Sequence, residues 1–177
     1  MTERPEDLLI HGPVTLRRYR ADDLDALTQA VSESEDHLRP WLPWVAGHSR
    51  EAEAEFLAQA ARDWASGTAY NYTIITEGVL VGGCGLMSRI GPGGLEIGYW
   101  VHRDWTRRGL ATAASAALVD AAFRLPGVDR IEIVHDELNV ASAGVPRKLG
   151  FTKVGRRPLD PPPPAGTGTG IVWRLLR

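Results

Sequence analysis

The sequence predicts an α/β fold: one domain over residues 1–177, with a mixed, mostly antiparallel sheet and helices on both faces. Three observations predict it. Residues 69–76 and 79–90 are rich in β-branched and aromatic side chains and flank Glu77-Gly78, the signature of a hairpin. A third such stretch, residues 96–101, follows the turn Gly91-Pro92-Gly93-Gly94, making three antiparallel strands in succession. An alanine-rich run comes next, and behind it the strand-like Arg130-Ile131-Glu132-Ile133-Val134-His135. A helix of that length is a crossover, so residues 96–101 and 130–135 are expected to be parallel neighbours.

In chain order, residues 1–12 read as a loose N-terminal lead. Val14-Thr15-Leu16-Arg17-Arg18-Tyr19 alternates apolar and polar side chains, as a strand does. Asp22 and Asp23 precede Leu24, Leu27 and Val31 at helical spacing, with the acids where the helix dipole favours them. In Leu38-Arg39-Pro40-Trp41-Leu42-Pro43-Trp44 two prolines forbid a regular helix, and two tryptophans offer large apolar area. Ser49 reads as the N-cap of a helix to about Ser66, with Leu57, Ala60, Ala61 and Trp64 on its buried face and Gly67 as its stop. The alanine-rich helix starts at Gly109 and carries Leu110, Ala114, Leu118, Ala121, Ala122 and Leu125 along one face until Pro126-Gly127 breaks it. Asn139 to Leu149 is a further helix closed by Gly150, in which Pro146 removes one backbone bond and bends the axis. Residues 151–157 and 170–176 are the last strands, joined by a loop over residues 160–169, proline-rich and then glycine-rich. No internal repeat or domain boundary is visible.

Composition narrows the function. Apolar content of 44% and charged content of 24% fit an ordinary soluble globular chain. A net charge of −2 gives no reason to expect nucleic acid as a ligand. The one cysteine, Cys84, excludes an intramolecular disulfide and sits in a glycine-rich apolar strand as a small packing residue. There is no signal-peptide pattern and no apolar run near the ~20 residues of a membrane helix, so a cytoplasmic protein off the membrane is expected. Between Asp22 and Asp63 stand ten acids against Arg39, Arg50 and Arg62; such a surface attracts cationic amines, and it is also what solvated helix faces look like.

The most informative stretch is Glu96-Ile97-Gly98-Tyr99-Trp100-Val101, a basic turn, and the helix start at Arg108-Gly109-Leu110-Ala111-Thr112. A helix start exposes amides with no intrahelical partner, and two arginines with a glycine make it receptive to an anion. The Gly-x-x-x-x-Gly-Lys-Ser/Thr pattern of nucleotide-binding loops is absent, and the charge and strand-rich middle disfavour a helix-turn-helix DNA binder. Thr106-Arg107-Arg108-Gly109-Leu110-Ala111 resembles the pyrophosphate loop of the GNAT superfamily of acyl-CoA N-acyltransferases, Gln/Arg-x-x-Gly-x-Gly/Ala, with Thr106 as the departure. Glu-Ile-Gly-Tyr-Trp-Val before it and Glu137-Leu138-Asn139-Val140-Ala141-Ser142 after it extend the resemblance to the ribosomal-protein alanine acetyltransferase (Rim-type) branch over nearly the whole chain.

That resemblance implies a GNAT-like fold and acetyl-CoA as acyl donor, with no metal. Arg107, Arg108, Gly109, Leu110, Ala111 and Thr112 would hold the diphosphate, and Tyr99, Trp100 and Val101 would offer backbone groups to the pantetheine and thioester. It also implies that Asn139 bonds the pantetheine and that the Ser142 hydroxyl faces the thiol, while Trp41 and Trp44 wall the acceptor site. Many superfamily members place a tyrosine acid four residues after that serine; here the position is Pro146, leaving Ser142, or water held by it, as donor. Glu96 is the candidate base, with Glu77 and His135 behind it; against these stand an edge salt bridge, a turn residue and a satisfied core histidine. The acceptor is a primary amine on a protein N-terminus or a small molecule, the acyl group extends from acetyl to larger ones such as succinyl, and a homodimer is compatible. A non-catalytic acyl-CoA-binding or sensing module would keep the loop and strand without an acceptor pocket.

Overall fold

The computed structural model describes residues 3–177. Among them, eight strands form one sheet in the order β1-β2-β3-β4-β5-β6-β8-β7. They are β1 (Leu8–His11), β2 (Val14–Arg18), β3 (Ala69–Thr76), β4 (Val79–Met87), β5 (Gly94–Val101), β6 (Arg130–Asp136), β7 (Thr152–Pro158) and β8 (Thr169–Leu176). Every pairing is antiparallel except β5 with β6, as a crossover helix between them requires. That helix is α4 (Leu110–Arg124), and the others are α1 (Leu24–Glu33), α2 (Glu35–Leu38), α3 (Arg50–Ser66) and α5 (Val140–Lys148).

Strand alternation shows that helices cover both faces. Ile97 of β5 packs into the main core with Leu110, Ala114, Leu118 and Ala121 of α4. Trp100, three residues on and so on the opposite face, packs against Tyr19, which follows β2, Leu27 and Val31 of α1, and Leu57 of α3. Ser49 caps α3 by accepting the Ala52 amide at 3.0 Å, and Gly67 leaves the helix at φ 78°.

Three expectations need correction. The lead over residues 1–12 is not loose throughout: Leu8–His11 pairs with Val14–Arg18 as an edge hairpin, Leu9 opposite Leu16, while residues 1 and 2 lie outside the described residues. Leu9 and Leu16 are both buried there, and this apolar contact recruits the segment. Ala61 is exposed, and the buried position nearer the start of α3 is Glu53, which has found a histidine partner. The strand expected over residues 79–90 stops at Met87.

The β4–β5 contact is close. A Cβ on Gly82 would lie 2.2 Å from the Trp100 carbonyl oxygen, a main-chain atom that cannot swing aside. Gly82→Ala is therefore expected to lower unfolding free energy by about 1–3 kcal/mol, the usual range for overpacking. Urea denaturation with an unchanged midpoint would show that the two strands can separate freely.

Candidate functional site

The β5–β6 ladder runs from Gly94 opposite Arg130 to Ile97 opposite Ile133 and ends there. β5 continues to Val101 on β4, whereas β6 continues to Asp136 on β8. The sheet forks. The His102 amide bonds the Val81 carbonyl at 2.7 Å. By strand alternation the amides of Trp100 and Gly98 face β4 too, so those of Tyr99 and Val101 face the open fork.

A cleft of about 660 Å³ runs from this fork to the start of α4, lined by Tyr99, Trp100, Val101, Thr106, Arg107, Gly109, Leu110, Ala111, Thr112, Asn139 and Ser142. The first intrahelical bond of α4 is Ala113 N–H to Gly109 carbonyl at 2.9 Å. The amides of Leu110, Ala111 and Thr112 thus lack helical acceptors. Gly109 sits at φ 74°, so conformation calls for glycine, although the space where a Cβ would be is open. Arg107 also has positive φ, 60°. Arg108 does not line the cleft: its guanidinium lies 4.5 Å from the Trp105 ring centre and bonds the Asp104 carbonyl. Lys148, missed in the sequence, lines it instead. Asn139, Ser142, Val145 and Lys148 recur every three residues, a spacing that could have marked this face of α5.

Asn139 caps α5, its Oδ1 accepting the Ser142 amide at 3.3 Å. Pro146 has no N–H, so the Ser142 carbonyl loses its partner four residues on. The Tyr99 hydroxyl fills that gap: it donates to the Ser142 carbonyl at 3.1 Å and lies 2.7 Å from Ser142 Oγ. A tyrosine hydroxyl therefore does reach Ser142, from β5 rather than from α5. Burial pushes the Tyr99 phenol up to about 12, with the Ser142 bond pulling the other way.

Two more cavities meet the cleft, and Tyr99 and Leu42 line all three. The first, of about 580 Å³, has Trp41, Glu96, His135 and the loop prolines Pro161 and Pro163 on its walls. Glu96 is 3% exposed. Its Oε1 is held by Arg89 and its Oε2 by Arg157 at 2.5 Å, so taking up a proton would mean displacing an arginine. His135 is satisfied at both nitrogens: Trp173 Nε1–H donates to Nε2 at 2.9 Å, which leaves Nδ1–H to donate to the Asp136 carbonyl at 2.8 Å. Glu77 is exposed at the β3–β4 turn and lines none of these cavities. The second, of about 570 Å³, has Trp44, whose ring meets Trp100 at 6.3 Å. The two tryptophans of one segment thus serve different cavities. Cys84 is buried, and burial raises its thiol well above the ordinary range, as fits a packing residue.

A forked sheet with free helix-start amides at one end of the fork and two cavities at the other is the arrangement of an acyl-CoA-dependent acetyltransferase. The Acetyltransferase (GNAT) domain profile matches residues 14–152, and the chain belongs to that family of enzymes. YdaF of Bacillus subtilis (strain 168), described as a candidate ribosomal N-acetyltransferase, is 27% identical over 153 residues, which span 83% of this chain and 82% of that protein. Among solved structures, RimL, the ribosomal L7/L12 α-N-protein acetyltransferase in complex with coenzyme A, superposes with a TM-score of 0.88 at 21% identity, covering 96% of this chain and 97% of that one. The microcin C7 self-immunity acetyltransferase MccE, in complex with acetyl-CoA and AMP, gives 0.86 at 16% identity and 93% coverage of each chain. At such identities these likenesses establish the fold. No helix among the described residues is long and apolar enough to cross a membrane.

Tyr99 gives a pH test. Its folded value, about 12, exceeds the ordinary phenol value near 10. Between these the folded state keeps a proton that the unfolded chain has released, so this contribution is complete below pH ~10 and lost as pH rises through the folded value. The fall in unfolding free energy from pH ~9 to ~11 should be smaller in Tyr99→Phe than in wild type. An identical fall in urea titrations would rule out a buried, proton-retaining Tyr99.

Proposed function

We propose that the chain transfers an acetyl group from acetyl-CoA to a primary amine, on a small molecule or a protein N-terminus, by direct attack in a ternary complex. The observation that carries this reading is that Tyr99 stands where the cleft from α4 meets both other cavities. A donor lying in the cleft would have its diphosphate on the amides of Leu110, Ala111 and Thr112, with Lys148 and Arg107 supplying charge. Its thioester carbonyl would then meet the outward amides of Tyr99 and Val101. Preorganised donors of this kind contribute about 2.7–4 kcal/mol each where they have been removed in other enzymes.

Ser142 is the hydroxyl for the departing thiolate. Its partner Tyr99 is not the proton source: a phenol near 12 does not give its proton outright to a thiolate of pKa ~8.5. Tyr99, with its own proton on the Ser142 carbonyl, instead holds Ser142 Oγ by accepting from it, and Oγ–H turns to sulfur as the C–S bond breaks. The proton that neutralises the thiolate comes in the end from the amine, through water. Glu96 in this reading anchors Arg89 and Arg157, and an α-amino group of pKa ~8 supplies enough neutral nucleophile without a dedicated base.

Two experiments test this. Calorimetry should show CoA affinity falling with salt and at least about tenfold weaker binding in Gly109→Val, since a β-branched residue is strained at positive φ. Wild-type affinity in the folded variant would remove the loop from the site. With the best acceptor from a panel assayed with acetyl- and succinyl-CoA, Ser142→Ala should lower kcat about 10- to 100-fold, as expected for losing a hydrogen bond to a charged group. Tyr99→Phe should cost less, and the double variant no more than Ser142→Ala alone. Additive losses would mean that the two hydroxyls act separately.

A further inference from the structure

The second cavity holds a carboxylate that the chemistry above does not use. Glu53, on α3, is 5% exposed and lines this cavity. Its Oε1 lies 2.9 Å from His48 Nδ1. A carboxylate only accepts, so the ring proton is on Nδ1. His48 Nε2 is in turn 2.9 Å from the Ser32 hydroxyl, which fixes the ring from the other side. Among the described residues Glu53 Oε2 has no hydrogen-bond partner. Oε2 is not sealed in the interior, and Glu53 lines the cavity, so an N–H donor entering there meets an unpaired acceptor.

The walls identify the donor. Tyr19 and Phe56 meet edge to face at 5.2 Å, and Trp44 and Trp100 do so at 6.3 Å, so four aromatic side chains surround the space. Aromatic faces attract cations and also accept apolar groups. Arg89 also lines the cavity, but its guanidinium is engaged with Glu96. Among the described residues Glu53 is the only acid there, which suits one positive charge on an apolar body rather than a polycation. The cavity shares Leu42, Tyr99 and Trp100 with the cleft, so an amine held in it borders the strand proposed to polarise the thioester.

We infer that this cavity is an ammonium site for the acceptor, taking a singly charged amine on an apolar alkyl or aryl group, with Glu53 as its partner and the four aromatic rings as its walls. Its role as acceptor site rests on the acetyltransfer reading; its affinity for ammonium ions does not.

Calorimetry without CoA supplies the test, with benzylamine, the neutral isostere benzyl alcohol, and the amide of trialanine as an ammonium of peptide origin. Wild type should bind benzylamine about tenfold or more tightly than benzyl alcohol, the value of one hydrogen bond to a charged group. Glu53→Gln, which keeps an acceptor for His48, should bring that preference to within about twofold. In Trp44→Ala, at a position 46% exposed where folding is not at stake, benzylamine affinity should fall severalfold. Trialanine amide binding in the same Glu53-dependent way supports the site and extends it to N-termini; its failure while benzylamine binds restricts the site to small amines, as inferred. A preference retained in Glu53→Gln, unchanged affinity in Trp44→Ala, or no saturable binding of benzylamine would overturn the inference. A parallel CoA titration separates the two readings. Protein that binds CoA but not benzylamine refutes the ammonium site alone, whereas benzylamine binding without CoA binding refutes the acyl-CoA reading.

Discussion

The end of the parallel ladder at Ile97 and Ile133 is the constraint on which the rest of the site depends. β5 cannot follow both neighbours. It stays with β4 as far as Val101 opposite Gly82, while β6 leaves with β8 as far as Asp136 opposite Gly170. Gly82 makes the first choice feasible, since a side chain there would collide with the Trp100 carbonyl. Asp136 secures the second. Burial works against its charge, but amides of Leu138, Gly168 and Thr167 bond the carboxylate and hold it below the ordinary range. Those same bonds tether the end of the proline-rich loop. Ala165 bonds the Pro40 carbonyl at 2.9 Å, which joins that loop to the tryptophan segment across the first cavity.

The fork also sets an electrostatic problem beside it. Glu96 and Glu132 are register partners on β5 and β6, both buried. Two like charges side by side in a poorly hydrated region repel strongly. Arg89 and Arg157 meet Glu96, and Arg174 meets Glu132 through Nε at 2.9 Å and Nη2 at 2.5 Å. The arginines come from the β4–β5 turn, β7 and β8, so one acid row ties three parts of the chain together. A structural role suffices to explain Glu96, both of whose oxygens meet arginines, whereas Glu53 keeps one oxygen without a partner among the described residues.

Much of this was legible because it is local. The hairpin at Glu77-Gly78, the Ser49 cap and the glycine ahead of α4 each depend on residues within a few positions of one another, and the crossover follows from the order strand, helix, strand. What could not be read depends on distant partners. Pro146 announced a missing hydrogen bond, but the hydroxyl that replaces it belongs to Tyr99, 43 positions from Ser142. Helical periodicity sets Glu53 on the face of Leu57, Ala60 and Trp64, but a carboxylate is not expected inside, and its burial depends on His48 beyond the helix start. Arg108 sat at the right place in the motif, yet stacking on Trp105 turned it from the cleft.

The division of labour in the site follows from magnitudes. Holding two reactants in register is worth about 7–11 kcal/mol, whereas one hydrogen bond to a charged group is worth about 1.5–3. The groups best placed for holding are main-chain ones: the amides of Leu110, Ala111 and Thr112 at a helix start and those of Tyr99 and Val101 at the fork. Main-chain donors require a conformation and not a particular side chain, apart from glycine where φ is positive. Thr106 can therefore stand where the motif has Gln or Arg, and Arg108 can turn away, without dismantling the cleft. In the proposed reaction, side-chain identity would matter where charge must be matched or a hydroxyl aimed, at Ser142, Tyr99 and Glu53. The fork fixes where the thioester would lie; the cavities beside it, with their few polar groups, are where one such enzyme can differ from another in the amine it accepts.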